Sequence, residues 1–535
     1  MFHRQKGNIK SLCPAFLRKS NSLPLEKEGK PHSIPRLVLL LLLALYSAAS
    51  LFRLANSPII RHSESDSEIK THFSNPRNLQ ARREKPSLAS LPCSALINGE
   101  TDETNSNSIE GILCCDRSHY RTDLCYIRGD IRTEPASNPA NIFLYGAQQE
   151  AVTEKLKPYT RKFEEGVMNS IEEVTINPSI LPADQMTADT CDVVHDVPVI
   201  VFSTGGYTGN LYHEFSDGLI PLYITSKRFE KEVVFVVMEY HKWWGVKYQG
   251  VLEQMTNYPI VDFREDRRVH CFKEMIVGMK IHGELIIDPQ LMPGGYSIKD
   301  FHSLLHRGLS SESDFQFNEL ALPQKITKAE PLIPPSHCLN TSTINISTNS
   351  TRNLKVVLFI RKKTRVLQNV KEVVKTCHRF GFSVQILNAK MGTPLETIYE
   401  ALASADVMLA VHGAAMTHFL MMRPGSVLIQ IVPLGLDWAA ENFYGEPAKR
   451  LGLEYMEYKV TTEESSLSKD YEPDDPVLVD PSVVTKKGWW EMKKVYMDNQ
   501  NVKVDVRRFG KLLQEAHEHV IRSRCIRQMT SEAKA

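Results

Sequence analysis

Across its 535 residues the chain lacks several of the patterns that would place it quickly. It has no Asp-x-Asp, the carboxylate pair whose oxygens hold Mg²⁺ or Mn²⁺ against a diphosphate. It has no Gly-x-Gly-x-x-Gly, so a dinucleotide is not the natural ligand of its strand–turn–helix units. None of its ten cysteines are spaced Cys-x-x-Cys, and Cys114-Cys115…Cys125 has no histidine cluster in support, which argues against zinc. A formal net charge of +1 supplies no global field for nucleic acid. No internal repeat is visible, and the longest apolar run stops at sixteen residues, Leu37–Phe52.

That run carries no charge and is closed by Arg53. At 1.5 Å per residue it reaches about 24 Å, slightly short of the ~30 Å hydrocarbon core. A thin early-secretory membrane, or snorkelling of Arg36 and Arg53, absorbs the difference. Residues 1–36 hold eight Lys/Arg against Glu26 and Glu28, a basic region too long for a cleaved signal peptide. We expect a signal anchor at 37–52, a basic tail (1–36) in the cytosol and the bulk of the chain in the lumen. Residues 53–92 are polar and mixed in charge, with the character of a stem. Three glycosylation sequons crowd at Asn340, Asn345 and Asn349. Nine cysteines fall on the lumenal side, so most should pair and one be left over.

A first α/β domain is expected over 93–335. Cys114–Arg132 is dense in arginine (Arg117, Arg121, Arg128, Arg132), which either binds an anion or pairs with Asp116, Asp123 and Asp130. Tyr159-Thr160-Arg161-Lys162 carries the same two readings. Val197–Phe202 is a buried strand, followed by the loop Ser203–Asn210 and a helical segment interrupted by Gly218 and Pro221. On that helix His213 and Asp217 are i, i+4 neighbours with Glu214 beside them. A group so placed after a strand-end glycine loop can take a proton from a substrate hydroxyl; the alternative is an ordinary capping network. Trp243-Trp244 either stacks on a sugar or packs. Val269–Ile287 alternates like a strand and hairpin.

Residues 336–353 read as a glycosylatable linker, and 354–525 as a second domain. Leu354–Ile360 is a strand with Arg361-Lys362-Lys363-Thr364-Arg365 at its carboxyl end, cations suited to a diphosphate or to a solvated loop. Val407–Val411 is an uninterrupted apolar strand, His412-Gly413-Ala414-Ala415 a turn of little bulk, Met416–Met422 helical, and Val427–Val432 the next strand. This is the βαβ turn at which an open sheet binds a phosphorylated ligand. Glu441 is placed to accept ribose hydroxyls. Val502–Arg522 is an amphipathic helix that can cross back onto the first domain. The whole reads as α/β and GT-B-like: two Rossmann-like domains facing a cleft.

At CDRSHYRTDLCYIRGDIR, PYTRK, GGYTGNLYHEFSDGLIPLYIT, RKKTRVLQN, VHGAAMTHFLMMRPGSVLIQIVP and ENFYGEPAKRLGLEYMEY the chain resembles glycosyltransferase family 61. The likeness covers roughly residues 93–525, and is strongest to the plant xylan-decorating branch. It implies inverting, UDP-sugar-dependent transfer of xylose or arabinofuranose to xylan in the Golgi by a type II membrane protein. Other branches act on N-glycans or proteins, and a fold that has lost its chemistry is a further alternative. The base is expected to be Asp217 or His213, in that order, with Glu214 orienting the pair. Arg361, Lys362 and Arg365 should hold the diphosphate, assisted by His412, Gly413, Ala414, Met416, Thr417 and His418, with no metal or other cofactor. Expected partners are the UDP-pentose donor, xylan, the Golgi membrane and a homo- or hetero-oligomer with other wall-synthesis transferases; nucleic acid is not among them.

Overall fold

Runs such as VIVFS and VMLAV, apolar at every position, make strands that must be covered on both faces. In the computed structural model they build two sheets. It describes residues 93–99, 111–134, 137–185, 190–310 and 354–532. The expected tail, anchor and stem, and the linker 336–353 with its three sequons, lie outside those residues. Among the described residues no helix is long and apolar enough to cross a membrane.

The N-terminal sheet contains β1 (Ile112–Asp116), β2 (Leu124–Thr133), β3 (Ala140–Tyr145), β4 (Glu154–Leu156), β5 (Val174–Ser179), β6 (Val193–Val194), β7 (Val199–Ser203), β8 (Val234–Met238), β9 (Val261–Asp262) and β10 (His270–Val277). Its main order is β4-β5-β3-β2-β10-β7-β8-β9. The stretch β10-β7-β8-β9 is parallel, whereas β2 runs antiparallel to β1, β3 and β10. The sheet is therefore mixed, and only part of it has the parallel Rossmann-like character expected. Val269–Ile287 forms β10 alone. After Val277 the chain leaves the sheet as a loop in which Leu285 sits at φ 52°, and no hairpin partner follows.

The C-terminal sheet is parallel throughout: β11 (Leu354–Phe359), β12 (Phe382–Leu387), β13 (Val407–Val411), β14 (Val427–Val432) and β15 (Glu454–Lys459), in the order β12-β11-β13-β14-β15. This doubly wound order reverses between β11 and β13. Connections leave those two strands in opposite directions, opening a crevice at their carboxyl ends.

Alternate residues of the strands point into different cores. Ile200, Phe202, Phe235 and Val237 of the first sheet, and Val357, Phe359, Met408 and Leu428 of the second, enter one continuous apolar cluster. Helices carrying Phe215, Leu219, Phe301, Leu305, Leu402 and Phe419 fill it. The opposite face of the second sheet is covered by Val373 of helix Val370–Arg379 and by Phe509, Leu513 and Val520 of helix Val506–Glu532. That last helix stays on its own sheet and does not cross back: Arg524 clasps Asp406, with N···O 2.6 Å. Cys93–Cys114, Cys115–Cys125 and Cys191–Cys271 are paired, Cys525 is also disulfide-bonded, and the buried Cys377 is the one free thiol among the described residues.

Candidate active site

Beyond β7 the loop ends at Asn210, whose side chain accepts from the Tyr212 N–H and starts the helix. Residues 214–219 form a wider π turn before the α-helix resumes at Ile220. Pro221 has no N–H for the Asp217 carbonyl four residues back. That freed carbonyl accepts a hydrogen bond from Thr160 Oγ1 at 2.8 Å instead. The sequence break thus becomes an anchoring point, and π turns of this kind recur at functional sites.

Asp217 is wholly buried. Arg121 Nη2 donates to its Oδ1 at 2.9 Å and Arg161 Nε to its Oδ2 at 2.9 Å. His213 Nδ1 lies 2.6 Å from the same Oδ2. Burial alone would raise the carboxyl's pKa. The His213 hydrogen bond and the Arg161 charge outweigh that and hold it below its ordinary 3.8. Asp217 is thus a fixed anion that no acceptor can touch. His213 keeps some exposure, with Tyr207 stacked on its ring at 4.1 Å and Tyr212 edge-on at 5.2 Å. Because Asp217 takes the Nδ1–H, the lone pair is left on Nε2. Glu284 joins the cluster by pairing with Arg121 (2.9 Å) and Arg161 (3.3 Å), and Glu164 by pairing with Arg161 (3.0 Å). Three carboxylates therefore meet two guanidinium ions in the cluster behind His213.

Glu214, expected to orient the pair, points elsewhere. Its Oε1 accepts from the Gly209 N–H at 2.8 Å and its Oε2 lies 3.6 Å from Lys247 Nζ, so it tethers the glycine loop. The two basic clusters divide. Arg117 pairs with Asp123 and Arg132 with Asp130, as the structural reading expects, while Arg121 and Arg161 cross the fold to Asp217. Trp244 is core, packed on Phe202 and Tyr248.

The second cluster lies at the crevice between β11 and β13. Arg361 Nε donates to the Thr364 carbonyl at 2.9 Å, and Arg365 Nη1 to the His412 carbonyl at 3.2 Å. Neither guanidinium has a carboxylate partner among the described residues, and the buried Nε of Arg365 has no hydrogen-bond partner. Burial, then the neighbouring charge of Arg361, lowers Arg365 to about 10, and burial also lowers Arg361. Arg365 takes the left-handed φ of 53° to reach this position. Gly413 is required beneath them: its φ is 149°, and a Cβ there would stand 2.2 Å from Arg361 Nη1. A buried and a half-buried cation, both without a compensating carboxylate among the described residues, form an anion site.

Of the other expected donor-side residues, Lys362 is exposed. His412 is buried with Nδ1 2.7 Å from Gln430 Nε2, and burial drives its pKa well down, so it is neutral. Ala414 is half-buried, and Met416 and Thr417 are buried, in the helix Ala414–Met421. His418 stacks on Phe359 at 5.1 Å and lies 2.8 Å from the Ala415 carbonyl, with its pKa lowered to about 4 by burial. That ring packs. Glu441 is half-exposed and ion-paired to Lys449 at 2.7 Å. Tyr444, near it, joins the two clusters: its ring is 5.3 Å from His412 and 5.9 Å from Tyr212.

Comparison with known proteins places the chain among glycosyltransferases. The family described as Glycosyltransferase 61 matches residues 211–429, from the first turn of the His213 helix into β14. The chain is 46% identical over 432 residues to the xylan glycosyltransferase MUCI21 of Arabidopsis thaliana, covering 79% of this chain and 83% of that protein. It is 35% identical to the alpha-1,3-arabinosyltransferase XAT3 of Oryza sativa subsp. japonica (75% and 64% covered), and 33% identical to the beta-1,2-xylosyltransferase XYXT1 of the same plant (76% and 83% covered).

Proposed function

The chain belongs to the glycosyltransferase 61 family, and from that premise we propose that it moves a pentose, xylose or arabinofuranose, from a UDP-sugar onto the xylan backbone during plant cell-wall synthesis. The names of its relatives support pentosyl transfer and the xylan acceptor. The observation that carries the mechanism is the 2.6 Å contact between His213 and an Asp217 sealed by two arginines. His213 Nε2 takes the proton of the acceptor hydroxyl, reversing the order expected from sequence, because a base must touch its substrate and Asp217 does not reach the surface. The oxygen so activated attacks the anomeric carbon while the diphosphate departs from the opposite face, its growing charge met by Arg361 and Arg365. Asp217 orients the imidazole and balances it once charged.

The parallel C-terminal sheet, with its cationic crevice, supports a GT-B-like donor lobe, and the His213 cluster an acceptor lobe. Arg361 and Arg365 support a leaving group neutralised without metal. The paired cysteines support a lumenal, type II placement in the Golgi. Purified full-length protein, incubated with xylohexaose and a panel of UDP-sugars with and without EDTA, tests the reading. A mass gain of one pentose, unaffected by EDTA, is expected. Transfer to an N-glycan and not to xylan would overturn the acceptor, and loss with EDTA the metal independence.

A further inference from the structure

Large aromatic side chains left in water mark surfaces meant to be covered. Of the five tryptophans, Trp490 is 70% exposed, Trp438 65% and Trp489 41%. Trp438 and Trp489 share one neighbouring ring. Phe443 holds Trp438 at 5.6 Å and Trp489 at 6.0 Å between ring centroids, and itself lies 5.2 Å from Tyr212. Tyr212 is edge-on to His213 at 5.2 Å. A line of aromatic rings therefore runs from the base residue to the indoles of Trp438 and Trp489, and the exposed Trp490 follows next in the chain.

At the Trp438 end the charge is already paired: Lys449 with Glu441 at 2.7 Å and Lys459 with Asp437 at 3.0 Å. At that end the surface suits a neutral ligand with flat apolar faces and polar edges, longer than one ring. A nucleobase would fill one ring beside the diphosphate cations and leave the outer indoles bare. A pyranose chain presents axial C–H faces that lie on indoles while its hydroxyls stay in water.

We propose that Trp438, Trp489 and Trp490 form a stacking ledge for the unreacted sugars of an extended pyranose polysaccharide, holding the acceptor chain while one of its hydroxyls reaches His213. The proposal rests on the acceptor reading above and adds a length requirement to it. The Trp438→Ala and Trp490→Ala full-length proteins, assayed with xylobiose and xylohexaose at saturating UDP-sugar, test it. Each substitution should raise the KM for xylohexaose by roughly tenfold, about one lost stacking contact. The KM for xylobiose, the KM for donor and kcat should hold within about twofold. Trp490→Phe should restore most of the loss, which a folding defect would not allow. Equal losses on both acceptors, no loss on either, or a raised donor KM would overturn the ledge. Failure of the acceptor reading shows separately, as wild-type protein that does not modify xylohexaose; the chain-length dependence of the same variants on the glycan it does use then decides the ledge.

Discussion

Two groups of arginines in this molecule have opposite electrostatics. Arg121 and Arg161 are saturated: Asp217, Glu284 and Glu164 meet them, and their task is to fix an anion behind His213. Arg361 and Arg365 meet only backbone and side-chain oxygens without charge, and burial holds both below the usual arginine pKa. A buried charge that is paired sets geometry, while one that is unpaired destabilises the free protein and is relieved by a ligand. Sequence treats all four alike, as arginines in basic clusters; only the neighbours distinguish an orienting cation from a binding one.

The largest effect should come from the paired side. His213→Gln should lower kcat by roughly a hundred- to ten-thousand-fold with an unchanged melting temperature. Asp217→Asn should lower kcat as well and cost about 3–5 kcal/mol of unfolding free energy by denaturant titration, since it leaves two guanidinium ions buried against a neutral group. Normal turnover in His213→Gln would move the base elsewhere.

On the unpaired side, Arg361→Ala and Arg365→Ala should each lower kcat/KM by roughly a hundred- to a thousand-fold and remove the thermal stabilisation given by UDP. Arg365→Met, close in volume, should melt no lower than wild type without ligand, and a large drop would mean that the cation is structurally compensated after all.

Titration separates the two groups more finely. Asp217 has a depressed carboxyl pKa, so its contribution is complete above 3.8 and lost as pH falls through the lowered value. The stability gap between wild type and Asp217→Asn should therefore be flat from neutrality to mild acid and close only below that. Arg365 is a cation lowered to about 10; above that pH the unfolded chain binds the extra proton and the folded state gains. The advantage of Arg365→Met should shrink as pH rises past about 10. A gap that varied through the neutral range would contradict either assignment. Smallest of all, Lys362→Ala, exposed on the same loop, should change kcat/KM by less than about threefold and keep the UDP-induced thermal shift.

What could be read without coordinates is what depends on local periodicity. His213 and Asp217 are four apart on a helix and meet at 2.6 Å. The strand carrying VMLAV and the small turn after it stand where the apolar run and Gly413 put them, and the Arg361 loop lies at the end of a parallel strand. What could not be read depends on chain crossings. Arg121 and Arg161 reach Asp217 across 96 and 56 residues, and Glu284 arrives from a segment whose alternation looked like a hairpin. Sequence contained no signal for these beyond two unexplained basic clusters. Trp244 looked available to a sugar because of its paired neighbour, yet it is sealed in the core, while Trp438, Trp489 and Trp490 are exposed.

The sequence alone therefore determined the kinds of element, the family and the residues able to carry charge at strand ends, because strand, helix and turn preferences act over a few neighbouring positions. Tertiary structure decided which carboxylate is sealed and which imidazole is reachable, and which arginines are already neutralised. Those are properties of burial and of partners drawn from distant parts of the chain, and they arise only when the two sheets close on their common core.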